Sequence, residues 1–260
     1  MVSPIVTLYS FLSMRVALFV TCLTDQFYAE AGVAAVKLLR SLGCDVEFPK
    51  AQTCCGQPAY NAGYWNEARQ MVGHALEVFA EAEYVVLPSG SCTTMVRAFY
   101  PELYRDNPKK FEQAEALSNK AFELAEFIVK VLGVTKLGEG LKGQRIAYHH
   151  GCHALRELGI KNEPLSLLKN AGAEIVDWEA AQECCGFGGL FSVKLPEVAL
   201  SMADRKLGTL PQIDFLTSGD AGCMLHLSGR IENRGLKVPV KPLATVLWQA
   251  SQTKEAARAD

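Results

Sequence analysis

The sequence has little that would direct the protein to nucleic acid or into a membrane. Its 26 lysines and arginines are outnumbered by 28 aspartates and glutamates, and the formal net charge is −2. This balance provides no basic surface of the kind that nucleic-acid-binding proteins need. No run of about twenty uncharged apolar residues predicts a membrane-spanning helix. We therefore expect a cytoplasmic globular protein that binds no nucleic acid and has no integral membrane segment.

The first twenty residues lack the basic start of a signal peptide. They are mostly apolar, but no lysine or arginine precedes Arg15. The segment 15–20 also aligns with residues 145–150, at an offset of 130. Because a segment that repeats within the chain belongs to the fold, we predict a strand here. Met14 is then a candidate start, and residues 1–13 and 251–260 are expected to be flexible.

Two common site motifs are also missing. The glycine-rich stretch 186–189 has no Lys-Ser/Thr after it and no G-x-G-x-x-G spacing, which excludes a nucleotide-binding loop. The chain contains no C-x-x-C pair, although structural zinc sites usually have two such short knuckles. Neither a nucleotide site nor a zinc-finger-like site is therefore indicated.

The nine cysteines are the most informative residues that are present. Eight of them form two matching groups of four, because the offset between corresponding positions is 130, 130, 130 and 131 residues. The first set is Cys22, Cys54, Cys55 and Cys92, and the second set is Cys152, Cys184, Cys185 and Cys223. In a reducing compartment, clustered thiols bind metal or carry out redox chemistry more often than they form disulfides. We predict that each set is the ligand set of one metal centre.

Apolar runs alternate with helical periodicity in both halves, which predicts an α/β fold with parallel sheets. Two pseudo-symmetric repeats are expected, a first module over 14–137 and a second over 143–250, each with a small parallel sheet flanked by helices. Strands are predicted over 16–20, 46–48, 84–87, 146–148, 174–176, 213–216 and 236–240, and helices over 29–42, 65–82, 111–132, 163–171, 197–207 and 243–250, with a loop over 101–109. Every cysteine of the two sets follows a strand, so each set should meet at the carboxyl edge of its sheet.

The donor set favours an iron–sulfur cluster without excluding other sites. Thiolates select zinc, copper(I) or iron–sulfur clusters. Adjacent cysteines are awkward ligands for one tetrahedral zinc, whereas four cysteines are the usual ligands of a [4Fe–4S] cluster. Glycines that allow a positive φ and a close backbone approach accompany both pairs, at Gly56, Gly186, Gly188 and Gly189. Buried core cysteines and a structural metal without redox chemistry remain as alternatives.

These motifs resemble the cysteine-rich CCG domain, a duplicated module. The resemblance covers about residues 14–250, and its motifs are Cys54-Cys55-Gly56 with 90–92 in the first half, and 148–153 with 184–189 and 222–223 in the second. Such domains occur in heterodisulfide reductase and in the iron–sulfur components of glycolate and anaerobic glycerol-3-phosphate dehydrogenases. The length, and the lack of a ferredoxin-type insertion, make the chain most similar to the lactate-utilisation protein A/YkgE family.

The resemblance implies an iron–sulfur electron-transfer subunit of a complex that oxidises L-lactate to pyruvate. It implies one or two [4Fe–4S] clusters, lactate-utilisation proteins B and C of the same system as partners, and a catalytic centre that lies in a partner or at an interface. Heterodisulfide reductase modules end in C-x-x-C, but here Met95 and His226 stand at the last position. This difference argues against a noncubane cluster and against direct disulfide cleavage. A direct reductase of a small thiol, disulfide or 2-hydroxy acid, and a zinc-stabilised scaffold, are the alternative functions.

The histidines are the other candidate site residues. His226 is predicted to be a ligand or a hydrogen-bond donor at the second centre. His153 either donates to a cluster sulfur and carries protons, or simply begins a helix. His149 is expected to be buried packing. Cys44 has no partner in the second half, where Ala173 stands, and is expected to be a core thiol.

Overall fold

Two separate four-stranded sheets make up the framework of the protein. In the computed structural model, which describes residues 13–254, the first sheet contains β1 (Arg15–Leu18), β2 (Asp45–Glu47), β3 (Tyr84–Leu87) and β4 (Ala121–Glu123). The second contains β5 (Arg145–Tyr148), β6 (Glu174–Ile175), β7 (Phe215–Ser218) and β8 (Val240–Pro242). The strand orders are β2-β1-β3-β4 and β6-β5-β7-β8, and all pairs are parallel. The predicted α/β fold with two pseudo-symmetric parallel sheets is confirmed.

Helices cover the sheets and occupy the connections between strands. They are α1 (Cys22–Phe27), α2 (Ala29–Ser41), α3 (Gln57–Asn61), α4 (Trp65–Val78), α5 (Gly90–Thr94), α6 (Tyr100–Leu103), α7 (Pro108–Lys120), α8 (Leu124–Glu126), α9 (Cys152–Arg156), α10 (Asn162–Asn170), α11 (Leu190–Lys194), α12 (Pro196–Gly208), α13 (Ala221–Asn233) and α14 (Leu243–Ser251). π-Helical turns follow α5 at Met95–Phe99 and α8 at Phe127–Val131, and a 3₁₀ turn follows α14 at Gln252–Lys254. Within residues 13–254, the search for a helix with the length and hydropathy of a membrane span finds none.

The predicted long helix over 111–132 is wrong, because β4 interrupts it. Residues 121–123 are extended and pair with β3, with Val85 opposite Ala121 and Leu87 opposite Glu123. Pairing at the sheet edge therefore overrides a local sequence that favours helix. The predicted loop over 101–109 is also wrong at both ends. Residues 100–103 are helical, and α7 starts at Pro108 with the Asn107 side chain accepting from the Lys110 N–H at 3.1 Å.

Other boundaries move by a few residues. The helix predicted to reach residue 82 ends at Val78, and the last strand lies at Val240–Pro242 instead of 236–240. Of the segments predicted to be flexible, 1–12 and 255–260 lie outside the described residues. Residues 251–254 are helical, with Ser251 at the end of α14 and a 3₁₀ turn over Gln252–Lys254, and the flexibility predicted for the terminus stays a prediction.

A shared hydrophobic core joins the two halves. Leu38 and Leu39 of α2 belong to the same buried cluster as Leu247 of α14, and these two helices pack against each other. Smaller cores lie beneath each half, one around Phe79 and Tyr100 and the other around residues 203–216. The shared core fixes how the two sheets face each other, so it also fixes the relative positions of the two cysteine sets.

Candidate metal centre

The first set of cysteines converges beyond the carboxyl ends of the strands, as the sequence predicts. Cys22 begins α1 just after β1, and Cys92 lies in α5 after β3. The Cys22 thiol donates to Cys54 Sγ at 3.6 Å. The Cys55 thiol in turn interacts with both Cys54 and Cys92. Four thiols that are far apart in sequence therefore form one continuous group.

The second set repeats this arrangement. Cys184 contacts both Cys152 and Cys185, and Cys185 contacts Cys223. None of the four forms a disulfide, and the same is true of the first set. In each set the second cysteine of the adjacent pair is buried and the other three are half-buried. Eight free thiols in two identical patterns provide the soft donors that iron–sulfur or zinc centres require.

Hydrogen bonding within each set favours one thiolate. Bonds from Cys22 and Cys55 lower the pKa of Cys54 to about 3. Bonds from Cys152 and Cys185 lower the pKa of Cys184 to about 2. The thiolate is the form of cysteine that binds metal. Within each set, the negative charge therefore lies on the first cysteine of the adjacent pair.

The glycines after the cysteine pairs adopt the predicted positive φ, at 87° for Gly56, 90° for Gly186, 51° for Gly188 and 62° for Gly189. The Gly186 N–H donates to Cys184 Sγ and the Phe187 N–H donates to Cys185 Sγ, both at 3.4 Å. A Cβ on Gly186 would lie 2.6 Å from the Ala199 carbonyl oxygen. A glycine is therefore needed for this turn to pack against α12 while its N–H groups face the sulfurs.

A single cavity of about 190 Å³ opens between the two sets. It is lined by three cysteines of the first set and all four of the second, namely Cys22, Cys55, Cys92, Cys152, Cys184, Cys185 and Cys223. The helices that carry Cys92 and Cys152 are packed closely here. A Cβ on Gly90 of α5 would collide with the Cβ of Ala154 in α9. The two candidate centres therefore face one common space.

Asp220 ties the two cysteine loops together, and the sequence motifs do not single it out. Its Oδ1 accepts from the Ser91 N–H at 2.8 Å and from the Ser89 hydroxyl at 3.2 Å. Asp220 precedes α13 of the second half, whereas Ser89 caps α5 of the first half by accepting from the Cys92 N–H. At an offset of 131 residues, Asp220 corresponds to Ser89 of the first half. The sequence feature that could have identified Asp220 is therefore a carboxylate in the second repeat where the first repeat has a hydroxyl.

The predicted site histidines occupy different positions. His153 lines the cavity, and its Nδ1 lies 3.4 Å from Glu157 Oε2. His226 is not among the cavity-lining residues within 13–254, because its Nε2 lies 3.2 Å from the Ala199 carbonyl and its ring packs 6.2 Å from that of Phe187. Phe187 lines the cavity, so His226 contacts a cavity-lining residue without lining the cavity itself. The cofactor contacts predicted for His153 and His226 stay predictions.

The thiol outside both sets is a core residue, as predicted. Cys44 is 6% exposed and lies in the hydrophobic cluster shared by the two halves. Burial raises the pKa of its thiol. Cys44 is therefore neutral and apolar in behaviour, in contrast to Cys54 and Cys184.

A buried basic side chain lies beside the second set, and no sequence motif marks it. The Lys206 ammonium donates to the carbonyls of Ala180 and Glu183 and lies 4.3 Å from the centre of the Trp178 ring. Burial lowers the pKa of Lys206 to about 8, while the thiols of Cys185 and Cys223 oppose this shift. A buried cation therefore faces the second set.

The first set has no such cation at the matching position. Gly56 packs on Met71 of α4, and in the same way Gly186 packs on Met202 of α12. Corresponding residues of α4 and α12 are therefore 131 positions apart. Lys206 therefore corresponds to Ala75, a buried alanine. The two candidate centres share a cysteine pattern but differ in electrostatic surroundings.

Comparison with known proteins gives a consistent result. The family model described as a cysteine-rich domain (CCG) matches residues 16–97 and again 146–228. The chain is 46% identical over 237 residues to lactate utilization protein A of Geobacillus sp. (strain WCH70), which covers 90% of this chain and 99% of the relative. It is 47% identical to lactate utilization protein A of Geobacillus kaustophilus (strain HTA426), over 90% and 98% of the two chains.

A solved structure shares the fold at much lower identity. The crystal structure of a hypothetical protein from Helicobacter pylori superposes with a TM-score of 0.62 and 12% identity, over 92% of this chain and 49% of that chain. This likeness supports the arrangement of the two sheets and concerns the fold alone.

Proposed function

The chain belongs to the lactate utilization protein A family and contains its cysteine-rich (CCG) domain twice, and on that premise we propose that it is an iron–sulfur electron-transfer protein in the oxidation of L-lactate to pyruvate. The observation that supports this proposal most is the cavity of about 190 Å³ lined by both cysteine sets. Two separate structural metals would have no need of a common space. Two centres that exchange electrons need to be close together.

The residues present fit iron–sulfur clusters. Each set offers four thiols, and the N–H groups of residues 186 and 187 already point at sulfurs of the second set. Hydrogen bonds of this kind tune the potential of a bound cluster. A bound cluster would supply one-electron redox chemistry. We assign one centre to the thiols of the first set and another to the thiols of the second set.

The protein's own residues would hold, orient and shield these centres. Cys55 and Cys185 are buried, so this part of each set is kept from bulk water. Asp220 holds the loop of Cys92 against the start of α13, which fixes one set relative to the other. A fixed separation between two redox centres keeps the rate of exchange between them constant.

The oxidation of lactate itself is proposed to occur in a partner or at an interface. Asp220 is the carboxylate among the residues that line the cavity, and its Oδ1 is already bonded to Ser89 and Ser91. It is therefore poorly placed to remove a proton from a substrate. We propose lactate-utilisation proteins B and C of the same system as the partners.

An apolar surface beside the second set suits such a partner. Val193 of α11, Leu195 between α11 and α12, and Val198 of α12 are 73%, 50% and 49% exposed. Helix α11 begins directly after Gly189, which lines the cavity. Neighbouring exposed apolar side chains of this kind are typical of protein–protein contact sites.

The test is lactate-dependent reduction of the assembled system. The chain is combined anaerobically with lactate-utilisation proteins B and C, L-lactate is added, and visible absorption is followed while pyruvate is measured. We expect the absorption to bleach with the wild-type chain but not with the double variant Cys54→Ser, Cys184→Ser. Pyruvate formation at an unchanged rate when this chain is omitted would contradict the proposal.

A further inference from the structure

His149 is a buried histidine with a ring nitrogen that is unpaired among the described residues. The residue is 0% exposed; the Ala181 carbonyl interacts with its ring, but neither Nδ1 nor Nε2 makes a hydrogen bond of normal geometry in the described part of the chain. Buried polar atoms in folded proteins are nearly always paired, and an exception points to an unseen water or ion or to a functional role. The predicted role as simple packing therefore does not explain this ring.

The backbone around His149 is held firmly. Its N–H donates to the Thr217 carbonyl at 2.9 Å, and its own carbonyl accepts from the Ser218 hydroxyl at 3.0 Å. The ring also packs against Trp178, with the two ring centres 6.5 Å apart. These contacts fix where the imidazole lies and leave a ring nitrogen unpaired.

The ring is placed next to two cysteines of the second set. One ring nitrogen, Cys185 Sγ and Cys223 Sγ all lie within 4.8 Å of one another. Imidazole nitrogen and thiolate sulfur are ligands that both zinc and iron–sulfur centres accept. A metal held between these three atoms would satisfy the unpaired nitrogen.

The first half has no equivalent donor. The offset of 130 places Phe19 at the position of His149. The Phe19 N–H donates to the Val86 carbonyl at 3.0 Å, which matches the bond from His149 to Thr217. The Phe19 ring stacks on Phe79 at 4.7 Å instead of facing the cysteines with a polar atom. The nitrogen donor is therefore specific to the second set.

We propose that His149 is a ligand of the second metal centre, alongside the thiols of the second set. The second centre then has a mixed thiolate and imidazole donor set, while the first has thiolates alone. This inference rests on the proposed function only in requiring that the second set holds a metal. Neutral imidazole ligands raise the potential of an iron–sulfur centre relative to thiolate ligands. Electrons should therefore run from the first centre to the second.

The test detects the histidine nitrogen directly. Wild-type protein is prepared anaerobically with natural histidine and with ¹⁵N-labelled histidine, and both reduced samples are studied by pulsed EPR. We expect a nitrogen coupling of the size seen for metal-bound imidazole, which changes to the ¹⁵N pattern on labelling. This comparison needs no variant and so does not depend on the folding of one.

Variants then assign the coupling to one residue. His149→Phe copies the first half and should abolish the coupling, while His74→Phe, whose Nε2 lies beside the Ala51 carbonyl, should leave it unchanged. A coupling that survives in His149→Phe and disappears in His153→Phe would overturn the assignment.

The outcomes separate this inference from the proposed function. A bound iron–sulfur cluster without any histidine coupling overturns the inference alone. Zinc in the second set overturns the redox role, and X-ray absorption at the zinc edge then tests the ligand, with a directly bound nitrogen that disappears in His149→Phe as the supporting result. Protein that binds no metal under strict anaerobiosis contradicts both.

Discussion

Asp220 accepts a hydrogen bond from the backbone N–H of Ser91 at 2.8 Å, although the two residues belong to different halves of the protein. Ser91 directly precedes Cys92 of the first set, and Asp220 lies three residues before Cys223 of the second. A Cβ on Gly151 would collide with Asp220 Oδ2, so the carboxylate also packs against the turn before Cys152. One side chain therefore positions loops from both candidate centres.

The first prediction concerns this carboxylate. Asp220→Ala leaves the Ser91 N–H and the Ser89 hydroxyl without their acceptor in a buried site, and this should lower the free energy of unfolding by about 1–3 kcal/mol. Urea unfolding of the metal-free protein measures the change. Asp204→Ala is the control, because Asp204 pairs with Arg230 at a more exposed site, where the expected loss is about 0–1 kcal/mol. Equal losses in the two variants would show that Asp220 has no special structural role.

The second prediction is a pH dependence caused by Glu123. Burial raises the pKa of this carboxyl from its ordinary 4.5 to about 8, with Asp220 and Glu126 adding to the shift, while the N–H groups of residues 125 and 126 oppose it. Because the folded state binds the proton more tightly, the contribution to stability is fully present below pH 4.5. It is lost as the pH rises towards 8, at roughly 1.4 kcal/mol per pH unit.

The variant Glu123→Gln should remove this dependence. Its amide oxygen keeps an acceptor for the two N–H groups but carries no proton that can be lost. The difference in free energy of unfolding between Glu123→Gln and the wild type should therefore increase in favour of the variant between pH 5 and 8. A difference that is independent of pH over this range would contradict the assignment of the raised pKa.

The third prediction concerns the buried cation beside the second set. Lys206→Gln removes the charge but keeps a donor for the carbonyls of Ala180 and Glu183. Loss of a nearby positive charge disfavours the addition of an electron, so the reduction potential of the second centre should fall while that of the first stays constant. Potentiometric titration monitored by EPR measures both. The control is Ala75→Ser at the matching position, and a shift of both centres in Lys206→Gln would indicate a general structural effect.

The fourth prediction concerns strained backbone before Cys22. Thr21 has φ 71° and ψ 142°, and it is the only residue other than glycine with positive φ in the range 13–254. This region is costly for any side chain with a Cβ, by about 1–3 kcal/mol. Both Thr21→Gly and Thr21→Ala lose the bond to the Thr24 hydroxyl. The glycine variant should nevertheless be the more stable by about 1 kcal/mol or more, which reverses the usual order of these residues. Thermal or urea unfolding measures the stability of the two variants. An alanine variant as stable as the glycine variant would rule out backbone strain at residue 21.

The parts of the site that repeat were predictable from sequence, and the parts that do not repeat were not. The spacing of the cysteines alone indicated two sets at the carboxyl ends of parallel strands, and the glycines after each pair indicated positive φ. Asp220 and Lys206 were not found, because their partners lie in the other half or on a different element. Only three-dimensional packing shows that Asp220 bonds to Ser91 or that Lys206 faces the second set.

The secondary structure shows the same division. Strand β3 was predicted with its correct bounds, because Tyr84-Val85-Val86-Leu87 is a short apolar run rich in β-branched residues. Strand β4 was missed, because Ala121 and Glu123 are residues that favour helices and nothing local marks them as extended. They form a strand because the edge of β3 is available to pair with them.

The metal content of anaerobically purified protein tests the electron-transfer role most directly, measured as iron, acid-labile sulfide and zinc, with EPR of the reduced sample. We expect iron and sulfide in both sets, with one cluster signal lost in Cys54→Ser and another in Cys184→Ser. Cys44→Ser, which changes a core cysteine outside both sets, should keep both signals. Stoichiometric zinc without sulfide in the wild-type protein would contradict an electron-transfer role and leave a zinc-stabilised scaffold.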